Sequence, residues 1–185
     1  MSRFRRYGAR ALPSTASLLL LAACASAPPE LPPSPDFDAA AAVAGIRAAG
    51  TASGGELDVQ PLRDPQVSDL SEEATRLEAG RLYQAAAERL DQALEISPQD
   101  PNLLQQRAEI ALLLGEPDQA ERLALRARAA GTEVGPLCRR NWETVVRARE
   151  GGSRPPDDAT ALPRVSVEEA ARRRDACTVA PPPRY

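Results

Sequence analysis

The chain has 185 residues, with 26 acidic side chains against 23 basic ones, and no histidine. Without histidine it lacks the commonest metal ligand and the usual general base near neutral pH. Three scattered cysteines do not make a metal cluster, and a net charge of −3 does not suit a nucleic-acid partner. We therefore expect no cofactor, no metal, no catalytic residue and no small-molecule substrate.

Residues 1–23 read as a processing segment. Arg3, Arg5, Arg6 and Arg10 form a basic start, and Ala11 to Ala23 an apolar run centred on Leu18-Leu19-Leu20-Leu21. The run is shorter than the roughly 20 apolar residues a spanning helix needs. It ends in Leu21-Ala22-Ala23-Cys24, which resembles a bacterial lipobox. The resemblance implies cleavage before Cys24 and lipidation of its thiol, with palmitate or a similar acyl chain on the new amine. By the same resemblance, Ala25 after the cysteine favours the outer membrane, facing the periplasm. The alternative is an ordinary secretory signal with a chance cysteine. Removing the segment leaves 19 arginines against 26 acidic residues, a net charge of −7.

Residues 24–66 read as the lipidated cysteine followed by a tether. Ala25 to Pro35 holds five prolines, and Asp38 to Gly55 is largely Ala, Gly, Ser and Thr. Proline removes donors and breaks helices, and such a composition buries little apolar surface. A stretch of about 40 residues of flexible coil spans on the order of 35 Å, and roughly three times that when extended. Asp36 to Ala49 forms at most a transient helix in this reading, because Gly45 interrupts it and no wide apolar face is present.

The folded part is predicted to begin near Asp69, where Asp69-Leu70-Ser71-Glu72 reads as a capping box. Four amphipathic helices follow, with Leu70, Ala74 and Leu77 in the first and Ala86, Leu90 and Ala93 in the second. Leu104, Ala108 and Ala111 mark the third, and Ala120, Leu123 and Ala127 the fourth. Pro98 ends the second helix, and Asp100-Pro101 reads as cap and first position of the third. Leu70 aligns with Leu104, Ala74 with Ala108, Ala86 with Ala120 and Ala93 with Ala127, a period of about 34 residues. On these residues, 67–131 resembles a pair of tetratricopeptide (TPR) repeats. Glu73 and Arg107 depart from the family pattern, standing where a leucine is usual, and Ala124 replaces an aromatic.

Beyond Gly131 the repeat register is lost, although helical patterning continues over Leu137 to Arg149 and from the capping box Ser166-Val167-Glu168-Glu169 to near Cys177. Residues 132–178 are read as a divergent hairpin that caps the stack, and 179–185 as a Pro-rich tail. In such a hairpin Cys138 starts one helix and Cys177 ends the other, and an exported chain meets an oxidising compartment. A disulfide between them is expected; two unrelated thiols are the alternative.

The fold class expected is all-α: a short TPR-like solenoid of two repeats plus a divergent C-terminal hairpin, preceded by a disordered tether. The resemblance implies that the first helix of each repeat lines a concave face that contacts protein partners. It assigns partner contacts to Ser71, Thr75 and Glu78 in one copy, and to Asn102, Gln105, Glu109 and Leu112 in the next. A merely solvated helix face is the bland alternative. The function expected is a membrane-anchored interaction scaffold whose partner is another envelope protein. An envelope enzyme or carbohydrate-binding accessory, and a passive structural lipoprotein, are the competing readings.

Overall fold

Seven helices carry the fold in the computed structural model, which describes residues 37–51, 63–154 and 165–178. They are α1 (Ala39–Ala49), α2 (Pro65–Ala79), α3 (Tyr83–Ile96), α4 (Pro101–Leu113), α5 (Pro117–Ala130), α6 (Pro136–Glu150) and α7 (Val167–Ala176), and no strand occurs among the described residues. The processing segment 1–23, Cys24 and the tail 179–185 lie outside the described residues.

Local chemistry sets the helix ends. Asp100 accepts hydrogen bonds from the amides of Asn102 (2.8 Å) and Leu103 (3.2 Å), and Pro101 takes the first position of α4. This satisfies amides that have no partner inside the helix. Ser166 caps α7 by accepting from the Glu169 amide at 3.1 Å. The capping box expected at Asp69 is not a helix start. Asp64 takes that role, accepting from the Gln66 amide at 2.8 Å with Pro65 behind it, so α2 begins five residues earlier. Gly115 turns α4 into α5 with φ +77°, a conformation costly for other residues.

The helices pair as α2/α3, α4/α5 and α6/α7, and each pair packs on the next through α3 on α4 and α5 on α6. The first core joins Val67, Ala74, Ala86, Leu90 and Ala93 to Leu103 and Ile110. The second joins Leu104, Ala108, Ala124 and Ala127 to Cys138, Trp142, Val145, Ala170 and Cys177. Small residues at the crossings let backbones approach closely: Ala86, Ala93, Ala120 and Ala127 are all fully buried. The architecture is a TPR-like solenoid.

The third hairpin keeps the repeat geometry that its sequence hides. One period beyond Leu104 and Ala108 stand Cys138 and Trp142, both buried. Ala86, Ala120 and Ala170 each hold the fourth position of their second helices. Ala93, Ala127 and Cys177 lie seven residues further on. The Cys138–Cys177 disulfide, with Cα atoms 5.7 Å apart, therefore stands at the positions that Leu104 and Ala127, members of one apolar cluster, hold in the preceding repeat. What differs is the connection: positions 151–166 join α6 to α7, where 80–82 and 114–116 suffice in the other two hairpins.

The two leucine positions occupied by charge are also accounted for. Glu73 pairs with Arg89 of α3 at 3.0 Å, and Arg107, almost fully buried, pairs with Asp91 of α3 at 2.9 Å. In each case the guanidinium lies between a first helix and α3, and the Arg107 stem packs where a leucine side chain would.

Residues 37–51 do not belong to a tether. Asp38 caps α1 by accepting from the Ala41 amide at 2.9 Å, and Ala42, Val43 and Ile46 are buried against Ala111, Leu112, Ala120 and Ala148. The face is narrow, but a narrow face suffices where the surface receiving it is made of small residues.

Candidate functional site

The helix α1 lies against α4 and α6, the first helices of the second and third hairpins. Its start lies near the end of α6, since a Cβ on Gly151 would come 3.1 Å from the Phe37 ring. Its end lies near the start of α6, where Arg139 donates to the carbonyl oxygens of Ala49 (2.9 Å) and Thr51 (3.0 Å). It thus runs antiparallel to α6, along the row of first helices that lines the inner side of such a solenoid.

Arginine and glutamate fix its register. Arg47 donates to Glu109 Oε2 on α4 at 2.9 Å and to Glu78 Oε1 on α2 at 2.7 Å. Partial burial of the Arg47 guanidinium acts to lower its pKa, but the two carboxylates outweigh burial and hold it above the ordinary arginine value. Glu109 also accepts through Oε1 from Arg140 and from Gln105 Nε2, the latter at 2.8 Å. Gln105 continues the network to Thr144 Oγ1 at 2.8 Å. The charge of Glu109 is therefore met from both sides, by α1 above and by α6 beside it.

This arrangement corrects part of the expected contact surface. Gln105, Glu109 and Leu112 have 0% exposure, so they face α1 and α6 and offer nothing to a partner while α1 is seated. Glu78 is occupied by Arg47. Ser71 Oγ donates to Gln106 Oε1 at 2.9 Å, and Gln106 Nε2 donates to Thr75 Oγ1 at 3.0 Å, a polar seam between α2 and α4. Thr75 remains exposed and Asn102 half-exposed, so the open part of the inner face lies toward α2. Arg47 was not singled out in the sequence. The signal available for α1 was Asp38 as a cap, followed by Ala42, Val43 and Ile46 at helical spacing.

The remaining buried carboxylates serve packing. Glu121 accepts from Arg149 and from Ser153 Oγ, which ties α5 to the end of α6. Glu143 accepts from Arg147 at 2.8 Å and from Arg174 at 2.6 Å, which ties α6 to α7. Arg173 lies 5.1 Å from the Trp142 ring centroid, a cation–π contact on the same seam. Among the described residues no group of three or more metal-ligating side chains is placed to hold an ion, and no helix is long and apolar enough to cross a membrane.

The fold and this inner face define a helical-repeat protein whose repeats present a surface to another helix. Residues 77–136 match the tetratricopeptide repeat family. The globular C-terminal domain of P. aeruginosa LpoP is similar in structure, with a TM-score of 0.50 and 25% identity, over 63% of this chain and 98% of that one. No curated protein matches the chain.

Proposed function

We propose that this protein is an interaction scaffold of the cell envelope, held to a membrane by lipid on Cys24, whose inner solenoid face binds a helical segment of another envelope protein. The observation that carries the binding role is α1 itself. The row of first helices already holds a helix, by an apolar stripe, by two arginine–carboxylate pairs and by a guanidinium on the helix's carbonyl end. Helix-in-groove recognition uses the same elements. The anchoring role rests on Leu21-Ala22-Ala23-Cys24. The likeness to a domain described as globular and C-terminal supports the arrangement in which the solenoid follows an N-terminal segment of different character. An outer-membrane location follows from Ala25 by the lipobox resemblance, and the pairing of Glu109, Glu121 and Glu143 with arginines favours binding over catalysis.

Photo-crosslinking in intact cells tests the binding role. A crosslinker at Thr75, on the open part of the inner face, should capture one envelope protein that a crosslinker at Arg122, on the outer side of α5, does not. Capture of the same abundant neighbours from both positions would mean a passive lipoprotein. Cys24→Ser should move the chain from the membrane to the soluble fraction, and retention at the membrane would remove the lipid from the account.

A further inference from the structure

The seat of α1 has the properties of a binding site rather than of a core. Its floor is apolar (Ala111, Leu112, Ala148), and its most buried charge, Glu109, keeps partners without the helix. If α1 leaves, Glu109 keeps Arg140 and Gln105 and loses only Arg47 on Oε2, while Glu78 and Arg139 exchange their contacts with α1 for water. The rest of the solenoid is likewise closed without it: the three hairpins pack through α3 on α4 and α5 on α6, and α1 takes part in neither joint. The helix contributes only Ala42, Val43 and Ile46 as buried residues, with Phe37 half-buried, and Arg47 remains half-exposed although it makes two ion pairs. Segments with few buried apolar contacts open before the global unfolding transition.

We propose that α1 is an exchangeable plug, and that a partner's amphipathic helix of the same pattern replaces it. The pattern is two adjacent small apolar residues at i and i+1, a β-branched one at i+4 and an arginine at i+5, as in Ala42, Val43, Ile46 and Arg47. The small residues fit the alanine-lined floor. The arginine meets Glu78 and the Oε2 of Glu109, so a cationic residue at i+5 is favoured over an acidic one. Arg139 receives the helix's last carbonyls, which have no partner within a helix. Because α1 is tethered to its seat, a partner binds with an apparent affinity reduced by the fraction of seats that are free. This inference rests on the reading of the inner face as the contact surface, and it concerns how that surface is opened.

The test uses the full chain carrying Cys24→Ser, with and without Val43→Asp and Ile46→Asp, and a fluorescein-labelled peptide of residues 37–51 as the probe. The double-aspartate chain should bind the peptide at least tenfold more tightly than the chain with α1 intact. Arg47→Glu in the peptide should weaken that binding at least tenfold. Equal binding to both chains would put the peptide elsewhere and overturn the proposal, as would no binding to a double-aspartate chain that still unfolds cooperatively. A double-aspartate chain that has lost cooperative unfolding would mark α1 as core and overturn it too. Formation of a dimer that exchanges α1 between copies would replace a partner's helix with a second copy and overturn it as stated. Hydrogen exchange on the unmutated α1 supplies an independent reading: its amides should exchange at least tenfold faster than those of Leu104 to Leu112, and matched rates would refute release. Peptide binding needs no envelope partner, so a failed crosslink at Thr75 and a failed exchange of α1 are separate results.

Discussion

Replacing both Cys138 and Cys177 by alanine should cost this solenoid a large part of its stability, and the amount can be worked from the loop the bond closes. The two cysteines are 39 residues apart. On the chain-entropy relation a loop of that length restricts the unfolded chain by about 4 kcal/mol. Little else holds α7. Its buried apolar residue is Ala170, flanked by Val165 and Cys177, with Val167 and Ala171 half-buried. Its polar ties are Arg174 to Glu143, Arg173 over Trp142, and the Gly135 amide donating to the Cys177 carbonyl at 2.7 Å. Alanine adds no strain at Cys177, since Ala93 and Ala127 occupy the same position in the other two hairpins. Urea unfolding followed by the fluorescence of Trp142, the single tryptophan, reports on this seam directly. With a slope of about 2 kcal/mol per molar urea, the midpoint of the double variant should fall by about 2 M. A midpoint within about 0.3 M of the oxidised chain, against the expected fall of about 2 M, would show that the bond constrains nothing the fold does not already hold.

Two further substitutions probe the joints between helices. Ala120→Leu places a larger side chain at a fully buried crossing of α5 with α4, and should lower stability by about 1–3 kcal/mol; an unchanged melting temperature would mean that the crossing is not close-packed. Glu121→Ala removes the acceptor for Arg149 and Ser153 and leaves a buried guanidinium without its partner, at a cost of about 3 kcal/mol. Adding Arg149→Met should recover most of that loss in the same denaturation assay, and failure to recover would point to packing rather than charge.

Most of the solenoid was legible because its signals are local. Asp100-Pro101, Pro98 and Gly115 mark helix ends through backbone chemistry that needs no neighbour, and the alanines one period apart report helix crossings directly. The third repeat was hidden for a physical reason. Cys138 and Trp142 replace a leucine and an alanine, and their larger or bonded side chains fill the same space, so the chemistry changes while the packing persists. The longer connection before α7 then moves Ala170 and Cys177 out of register. The helix α1 was misjudged because an alanine-rich stretch with three apolar residues looks alike whether it is a linker or a packed helix. The difference lies in Ala111, Leu112, Ala148, Glu78 and Glu109, all distant in sequence. The same gap explains Gln105, Glu109 and Leu112. Helical spacing places them on the face the repeats leave open, and only the presence of α1 closes it.

The position of α1 between Cys24 and the repeats links the proposed plug to the proposed anchor. With lipid on Cys24 and α1 seated, the chain available between membrane and domain is residues 25–38, which covalent geometry limits to about 50 Å. With α1 released, residues 25–64 become available, and the limit rises to about 140 Å. Exchange of α1 for a partner's helix therefore does two things at once: it opens the seat and it lengthens the reach. A distant partner is disfavoured while α1 is seated, because the domain cannot approach it, and the partner's own helix supplies the free energy that releases the tether. The coupling is reciprocal. Anything that stretches residues 25–38 pulls α1 from its seat and raises the affinity for a partner, whereas a partner bound at the seat removes the restraint on distance.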